Sequence, residues 1–128
     1  MFLLNTRHES CQFKYSEMIV VTSKMKACSE KREEFLEALR GMLEPVRLEP
    51  GCESFFLCQD YEDENICILV EEWNRKEDFD RHLRTHDYKN LLVLMDLLSE
   101  PPEIKINIVS RSAGMEYLEE VLGMNRQD

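Results

Sequence analysis

The sequence predicts an α+β domain whose elements follow the order β-α-β-β-α-β around an antiparallel sheet. Three observations carry this prediction. Stretches rich in β-branched residues alternate along the chain with stretches that repeat apolar residues at helical spacing. Two short turns, one built on Pro50 and Gly51 and one that is acidic, separate the middle strands from their neighbours. At 128 residues, of which 43% are hydrophobic, the chain has the size and composition of one globular domain.

The first predicted strand and helix follow an arm without a clear period. Met18–Lys26 is rich in β-branched residues and predicts the first strand. Ser29 is a suitable N-cap for the helix that follows, and Pro45 should bend that helix or end its regular part. This helix is amphipathic, because apolar residues recur in it at helical spacing: Phe35, Leu36, Leu39, Met42, Leu43 and Val46.

The second and third strands form a predicted hairpin. The second strand runs from Cys52 to about Tyr61, and an acidic turn at residues 62–65 leads into the third strand, Ile66–Trp73. Both faces of the third strand are largely apolar, whereas a sheet with helices on one side normally keeps its other side polar. The second apolar face needs a second cover, so we expect a homodimer.

Two further helices and a fourth strand complete the predicted domain. Asn74 lies three residues before Glu77, which is the pattern of a capping box, and Thr85 suits the start of the next helix. Glu103–Arg111 alternates isoleucines with polar residues and predicts the fourth strand. The resulting order is the split-βαβ, ferredoxin-like arrangement.

The chain is therefore predicted to have three parts: an N-terminal arm (1–17), the α+β domain (18–111) and a C-terminal tail (112–128). Apolar residues recur in the tail at helical spacing, at Met115, Leu118, Val121 and Leu122. This spacing predicts a short extra helix that packs on the domain or on a partner.

Composition and charge exclude several classes of function. A net charge of −10 disfavours a nucleic-acid or anionic-membrane partner, which would require a basic face. No apolar run approaches the roughly 20 residues that cross a bilayer, so we expect a cytoplasmic protein. The five cysteines include no Cys-x-x-Cys pair, which disfavours a zinc site or a disulfide framework. No pair of glycines forms a phosphate-binding loop, which disfavours nicotinamide or flavin bound in the Rossmann manner.

The candidate site residues crowd into the stretch Ile66–Tyr88. Trp73, the only tryptophan, lies close in sequence to two of the three histidines, His82 and His86. Either histidine is a candidate general base, because an imidazole titrates near neutrality. The two are spaced like a helical metal pair, but Thr85 should break the helix between them, so we expect no metal site. The alternatives are a tryptophan in the core and histidines at the surface or in satisfied hydrogen bonds.

At this point the sequence resembles the antibiotic biosynthesis monooxygenase family of dimeric α+β barrels. The resemblance covers roughly residues 18–110. It rests on Glu49-Pro50-Gly51-Cys52, on Glu72-Trp73, on the run to His82-Leu83 and on Thr85-His86. Members of this family resemble one another in fold more than in reaction. Some oxidise phenols or quinols with molecular oxygen and without metal or flavin, others degrade haem, and others isomerise a phosphorylated sugar-like signal.

The resemblance implies a small-molecule site in a cleft between the sheet and its helices, with Trp73 near the wall. Oxygenation without a cofactor requires a base, a donor for the developing oxyanion and a dry apolar pocket. We expect His82 or His86 to be the base and Trp73 to pack against the substrate ring. The other residues expected to contact the substrate or to orient a histidine are Tyr61, Leu69, Glu72, Phe79 and Tyr88.

The leading functional hypothesis is a homodimeric, cofactor-independent monooxygenase that acts on a small aromatic quinol or phenol and uses oxygen as co-substrate. The first alternative is a haem-binding or haem-degrading enzyme, or an isomerase, on the same fold. The second is a non-catalytic dimeric binding module whose cleft is filled by its own arm or tail. The length of chain outside the predicted domain motivates this last hypothesis.

Overall fold

The computed structural model describes residues 14–124, which form strands and helices in the predicted order. In chain order these are β1 (Lys14–Lys26), α1 (Arg32–Arg47), β2 (Cys52–Gln59), β3 (Ile66–Trp73), α2 (Lys76–Leu83), α3 (His86–Leu94), β4 (Glu103–Ser112) and α4 (Met115–Leu122). Short 3-10 turns precede α1 and follow α3. The described residues divide into two compact units, one of residues 18–108 and one that combines residues 14–17 with residues 109–124.

The sheet has the strand order β2-β3-β1-β4. Strand β3 pairs antiparallel with β2 on one side and with β1 on the other. This order confirms the predicted ferredoxin-like α+β fold. The register places Glu71 of β3 opposite Val21 of β1 and Phe55 of β2, so these three side chains share one face of the sheet.

The two faces of the sheet differ in what lies on them. The covered face carries the hydrophobic core, in which sheet residues pack with residues of α1, α2 and α3: Ile19, Val21, Met25, Phe55, Cys67, Leu69 and Trp73 with Phe35, Leu39, Val46, Phe79 and Leu91. The open face is formed by the alternate residues of the same strands, among them Thr22, Lys24, Phe56, Ile68, Val70 and Glu72. Phe56 is 48% exposed on this face, and Ile68 and Val70 are half-buried. The open face is thus partly apolar and only partly buried within the described chain.

The ends of two strands differ from the predicted ends. Strand β1 begins at Lys14, whereas the sequence predicted a start at Met18. The mostly polar residues 14–17 have no apolar alternation that would predict a strand. Strand formation also depends on pairing with a neighbouring strand, which residue type alone does not predict. Strand β2 ends at Gln59 and not at Tyr61. Asp60 accepts hydrogen bonds from the backbone N–H groups of Glu62 and Asp63, both at 2.9 Å, and so turns the chain before Tyr61.

Two of the three predicted helix caps are wrong. Ser29 opens a 3-10 turn whose N-cap is Cys28, and no side chain caps that turn. The N-cap of α2 is Arg75 rather than Asn74. The N–H of Asn74, which Glu77 would accept in a capping box, donates instead to the backbone oxygen of Gly51 at 2.7 Å. The predicted capping box with Glu77 is therefore absent from α2.

The third cap is confirmed, because the hydroxyl of Thr85 accepts the N–H of Tyr88 at the start of α3. Pro45 lies inside the last turn of α1, and the helix continues to Arg47. A proline lacks the backbone N–H that would donate to the carbonyl four residues earlier, and so it weakens a helix. Here the helix continues for only two residues after Pro45.

The other compact unit contains α4, which confirms the helix predicted in the tail. The helix ends at Gly123, whose φ of 68° lies in the left-handed region that glycine adopts most readily. What α4 packs on stays a prediction. None of the helices in the described part of the chain is long and apolar enough to cross a membrane. The predictions for residues 1–13 and 125–128 lie outside the described residues.

Candidate active site

The strongest candidate for a functional site is a cluster of buried ionisable groups on the covered face, centred on His82. Helix α2 places His82 against the sheet, where its side chain is only 1% exposed. Two carboxylates approach the two nitrogens of the ring from different elements. Glu49 comes from the turn between α1 and β2, and Glu71 comes from β3. The cluster therefore combines three segments that are far apart in sequence.

Glu49 fixes one side of the imidazole. The Nδ1 atom of His82 lies 3.0 Å from Oε1 and 3.2 Å from Oε2 of Glu49. A carboxylate only accepts hydrogen bonds, so Nδ1 carries the proton and donates it to Glu49. The lone pair of a neutral His82 is therefore at Nε2.

The Nε2 atom of His82 is buried and has no hydrogen-bond partner among the described residues. Its nearest charged neighbour is Oε1 of Glu71, at 3.8 Å, which is longer than a hydrogen bond. The same oxygen of Glu71 accepts the indole N–H of Trp73 at 2.9 Å. A buried polar atom without a partner is uncommon in a folded protein and calls for an explanation. At this position it leaves a proton acceptor available inside an otherwise closed core.

Aromatic rings surround the imidazole. Trp73, which is 0% exposed, stacks on His82 with a centroid distance of 4.6 Å and an interplanar angle of 27°. Phe55 and Tyr88 present their edges to it at 6.0 and 5.5 Å, and Phe79 lies tilted at 6.5 Å. These rings keep bulk water away from the charges, which strengthens every electrostatic interaction within the cluster.

Burial shifts the pKa values of the cluster in the direction that reduces charge. The pKa of Glu71 is raised from 4.5 to about 7, mainly by burial, although the hydrogen bond from Trp73 opposes this shift. Burial lowers the pKa of His82 below 6.5, and its contacts with Glu49 work in the opposite direction. Burial and the nearby Glu71 raise the pKa of the Tyr88 phenol. Burial in this cluster therefore favours the neutral imidazole of His82 and the protonated form of the Glu71 carboxyl.

The turn that carries Glu49 is held against α2. Gly51 has a φ of 84°, and a Cβ atom at that position would lie only 2.1 Å from Cγ of Asp78. Asp78 is itself buried and accepts hydrogen bonds from Arg75 and Arg81, at 3.1 Å for each Nη atom. Glycine at position 51 lets α2 approach the turn closely, which brings His82 within reach of Glu49.

The structure brings five of the eight predicted site residues to the covered face. His82, Trp73, Phe79 and Tyr88 contact one another through their rings, and Leu69 lies on the same face one pleat away from Glu71. The other three lie elsewhere. Tyr61 is 102% exposed in the hairpin turn, and His86 is exposed at the start of α3. Glu72 lies on the open face, where its carboxylate accepts the hydroxyl of Ser54 at 3.0 Å.

Sequence reasoning missed the two carboxylates of the cluster. The alternation of β3 does place Glu71 on the face of Trp73, and an acidic residue on an otherwise apolar face was a usable signal. Glu49 gave no comparable signal, because a turn residue is normally solvated. Only the approach of α2 to the turn makes it a partner of His82.

The described residues contain no group of three or more His, Cys, Asp and Glu side chains arranged to hold a metal ion. Two cysteines of the core, Cys52 and Cys67, each have a pKa raised to about 11, and burial is the largest cause in both cases. Their thiols therefore remain protonated and pack as small apolar side chains. The chemistry that this site can offer from its own residues is proton transfer.

Comparisons with known proteins agree with this fold. The uncharacterised protein sll1783 of Synechocystis is 35% identical over 89 residues, which make up 69% of this chain and 60% of that protein. The chain thus spans about 60% of the length of that relative. YcnE of Bacillus subtilis, which is named as a candidate monooxygenase, is 28% identical over 88 residues, or 68% of this chain and 93% of YcnE.

Solved structures and the family profile complete the comparison. A conserved protein from Methanosarcina mazei Go1 has a TM-score of 0.68 at 28% identity and covers 71% of this chain and 91% of its own. Rv0793 from Mycobacterium tuberculosis has a TM-score of 0.70 at 21% identity, with coverages of 76% and 99%, which shows the fold alone. The sequence profile described as antibiotic biosynthesis monooxygenase matches residues 18–92. This chain belongs to the antibiotic biosynthesis monooxygenase family.

Proposed function

We propose that this protein is a cofactor-independent monooxygenase that acts on a small aromatic quinol or phenol, with His82 as its general base. One observation carries the proposal. The Nε2 atom of a neutral, buried His82 has no hydrogen-bond partner within residues 14–124, while Nδ1 is fixed by Glu49. A base for this chemistry must present an unused lone pair in a dry environment, and Nε2 does so.

The first step on this proposal is removal of a phenolic proton. The O–H bond of the substrate breaks and an N–H bond forms at Nε2 of His82. The new imidazolium is stabilised by Glu49, whose two oxygens already accept Nδ1–H at 3.0 and 3.2 Å. The arrangement resembles a histidine oriented by a carboxylate, which fixes both the tautomer and the direction of the ring.

The second step is oxidation of the resulting phenolate by molecular oxygen. The anion transfers electrons to oxygen directly, so the reaction needs no electron donor other than the substrate. For a phenol with a hydrogen on the ring carbon opposite the hydroxyl, one oxygen atom bonds to that carbon and becomes a quinone oxygen, while its C–H bond and the O–O bond break. The other oxygen atom leaves as water with this hydrogen and the phenolic proton, so the products are a quinone and water, and atoms and electrons balance. The rings of Trp73, Phe55 and Phe79 make the surroundings of His82 apolar, which favours an aromatic substrate over a polar one.

A cavity of about 370 Å³ supports access from the edge of the sheet. It lies at β2 and is lined by Arg47, Cys52, Glu53, Ser54, Phe55 and Phe56. Two of these residues also belong to the surroundings of the cluster, because Phe55 contacts the ring of His82 and the pKa of the Cys52 thiol responds to both Glu49 and Glu71. The volume is within the usual range for small-molecule sites.

The test is oxygen uptake by the purified protein with a panel of hydroquinones, naphthols and anthrones. We expect turnover with at least one substrate class, and a loss of about 10²-fold or more in His82→Gln, which removes the base. His86→Gln is the matched control, because His86 is exposed at the start of α3. Equal activity in the two variants would contradict the role of His82, and no uptake above buffer with any substrate would contradict the reaction.

We also propose that two copies of the chain associate through the open face of the sheet. The supporting observation is the apolar surface there, with Phe56 at 48% exposure beside half-buried Ile68 and Val70. Sedimentation of the native protein should give a dimer, and Phe56→Glu should give a folded monomer. A native protein that sediments as a monomer at micromolar concentration would exclude this assembly.

A further inference from the structure

We propose that Glu71 is a positioning residue that takes over the proton which His82 removes from the substrate, so that the imidazole is neutral again within the same turnover. This inference rests on the proposed role of His82 as general base. It extends that proposal from one proton acceptor to a relay of two groups with a defined resting place for the proton.

The geometry of Glu71 supports this role. Its side chain is 2% exposed, and β3 directs it towards the helices between Val21 and Phe55. A single oxygen, Oε1, faces both the indole N–H of Trp73 at 2.9 Å and the free Nε2 of His82 at 3.8 Å. A movement of about 1 Å would bring Nε2 into hydrogen-bond range of that oxygen.

The charges around Glu71 favour the protonated carboxyl. The titratable groups that face it are Glu49 from the turn, Cys52 from β2, His82 from α2 and Tyr88 from α3. Asp87 of α3 acts on the cluster through His82. Within residues 14–124 no lysine or arginine forms an ion pair with Glu71, and the basic group closest to its carboxylate there is His82 at 3.8 Å. A buried carboxylate that lacks a cationic partner gains a proton more readily than one in water.

Glu49 and Glu71 have different roles for this reason. Glu49 is less buried and accepts Nδ1–H of His82 through both of its oxygens. Glu71 faces the opposite nitrogen, and its hydrogen bond comes from a neutral donor. Glu49 therefore orients the ring through Nδ1, whereas Glu71 lies on the side of the nitrogen that takes up the substrate proton.

The proton balance is simple. The substrate O–H bond breaks as the Nε2–H bond forms, and then the Nε2–H bond breaks as an O–H bond forms on the carboxylate of Glu71. The imidazole returns to its neutral form with Nδ1–H still donated to Glu49. The carboxyl group of Glu71 later releases the proton to the product or to water, and no electron is transferred in any of these steps.

Trp73 provides a test that needs no substrate. It is the only tryptophan, it donates to Glu71, and it stacks on His82, so its fluorescence reports the protonation of both groups. We expect the emission of the native protein to change with a midpoint near pH 7, where the pKa of Glu71 lies. In Glu71→Gln, which keeps an oxygen that can accept the indole N–H, this transition should disappear.

Glu72→Gln is the matched control, since it makes the same chemical change one residue along β3 on the open face. It should keep the midpoint near pH 7. A transition near pH 7 that persists unchanged in Glu71→Gln would overturn the proposal. So would ¹⁵N NMR of the native protein if it showed His82, rather than a carboxyl, gaining a proton near pH 7.

A second measurement keeps the proposal testable if Glu71→Gln does not fold. Infrared spectroscopy of the native protein with ¹³C-labelled glutamate carboxyls should show a carboxylic acid band that persists to about pH 7 and then disappears. Loss of every such band well below pH 7 would contradict the relay. Because neither measurement involves a substrate, failure of the relay is distinguishable from failure to find an oxygenase activity.

Discussion

The covered and open faces of the sheet are built from the same strands and are both rich in apolar residues, yet they have different surroundings. On the covered face, β3 contributes Leu69, Glu71 and Trp73, all buried under the helices. On the open face, the same strand contributes Val70 and Glu72, which are only partly buried. Two pairs of neighbours, Leu69 with Val70 and Glu71 with Glu72, therefore have similar side chains on opposite faces. In each pair, the residue on the open face is the control for the residue on the covered face.

The glutamates show what the difference means chemically. Glu71 lies among aromatic rings, and its carboxylate accepts the indole N–H of Trp73. Burial raises the pKa of Glu71 to about 7. Glu72 accepts the hydroxyl of Ser54 in a half-exposed position. The same type of side chain is therefore buried with a raised pKa on one face and partly exposed beside a hydroxyl donor on the other.

The largest expected effect comes from the apolar pair. Leu69→Ala should lower the free energy of unfolding by about 3 kcal/mol, because it removes buried methyl groups and leaves a cavity under the helices. Val70→Ala should lower it by about 1 kcal/mol or less, because Val70 is half-buried and loses fewer contacts. Chemical denaturation of the two variants measures both values. Equal losses of unfolding free energy in the two variants would show that the two faces are equally well packed, which would contradict the difference between them.

The second effect is a pH dependence of stability. The pKa of Glu71 is raised in the folded protein, so the folded state binds more protons than the unfolded chain between pH 4.5 and about pH 7. The stabilisation associated with this group is fully present below pH 4.5 and is lost as the pH rises to about 7, by about 3 kcal/mol in all. As the pH rises through this range, the free energy of unfolding of Glu71→Gln should increase by that amount relative to the native protein, because the variant has no carboxyl group to ionise. Glu72→Gln should show no such gain.

His82 acts with the opposite sign in the same measurement. Its pKa is lowered on folding, so the stability that it contributes is present above pH 6.5 and is lost as the pH falls. The total stability of the native protein thus mixes two opposing trends. The difference between Glu71→Gln and the native protein isolates the carboxyl, and a difference that stays flat from pH 4.5 to 8 would contradict the raised pKa.

The fold could be predicted from the sequence because its signals are local. Runs of β-branched residues and apolar periodicity located the strands and helices of the domain, and their order gave the ferredoxin-like arrangement that the sheet shows. The errors fell at element ends, where tertiary contacts decide. Asn74 has the composition of an N-cap, but its N–H bonds to Gly51 in a turn far away in sequence. No local pattern contains that contact.

The site was only partly predictable for the same reason. Trp73 and His82 were found from their crowding in one stretch, and the structure does stack them. Their crowding also drew in His86 and Glu72, which the structure places away from the cluster. Distinguishing Glu71 from Glu72 requires knowing which face the helices cover, which a sequence with apolar residues on both faces leaves open.

The third effect tests the turn that brings Glu49 to the covered face. Gly51→Ala should cost about 2 kcal/mol, because a Cβ atom would collide with Asp78 and the φ of 84° disfavours side chains. Gly41→Ala is the control, since nothing lies within 4 Å of its Cβ position in α1 and alanine favours helix there. Thermal unfolding should shift in opposite directions for the two variants. A tolerated Gly51→Ala would mean that α2 does not need to approach the turn closely.

The smallest expected effect concerns the helices that make one face covered. The hydroxyl of Thr85 accepts the N–H of Tyr88 at 3.2 Å and donates to the backbone oxygen of His82 at 2.7 Å, so it joins the start of α3 to the end of α2. Thr85→Ala should cost about 1 kcal/mol, the usual value for losing an N-cap. Ser54→Ala removes one hydroxyl from the open face and should cost less, because its bond to Glu72 is partly solvated. Thr85 also positions the backbone of His82, so Thr85→Ala should shift the change in Trp73 fluorescence that accompanies protonation of His82 below pH 6.5. Ser54→Ala should leave the fluorescence titration unchanged.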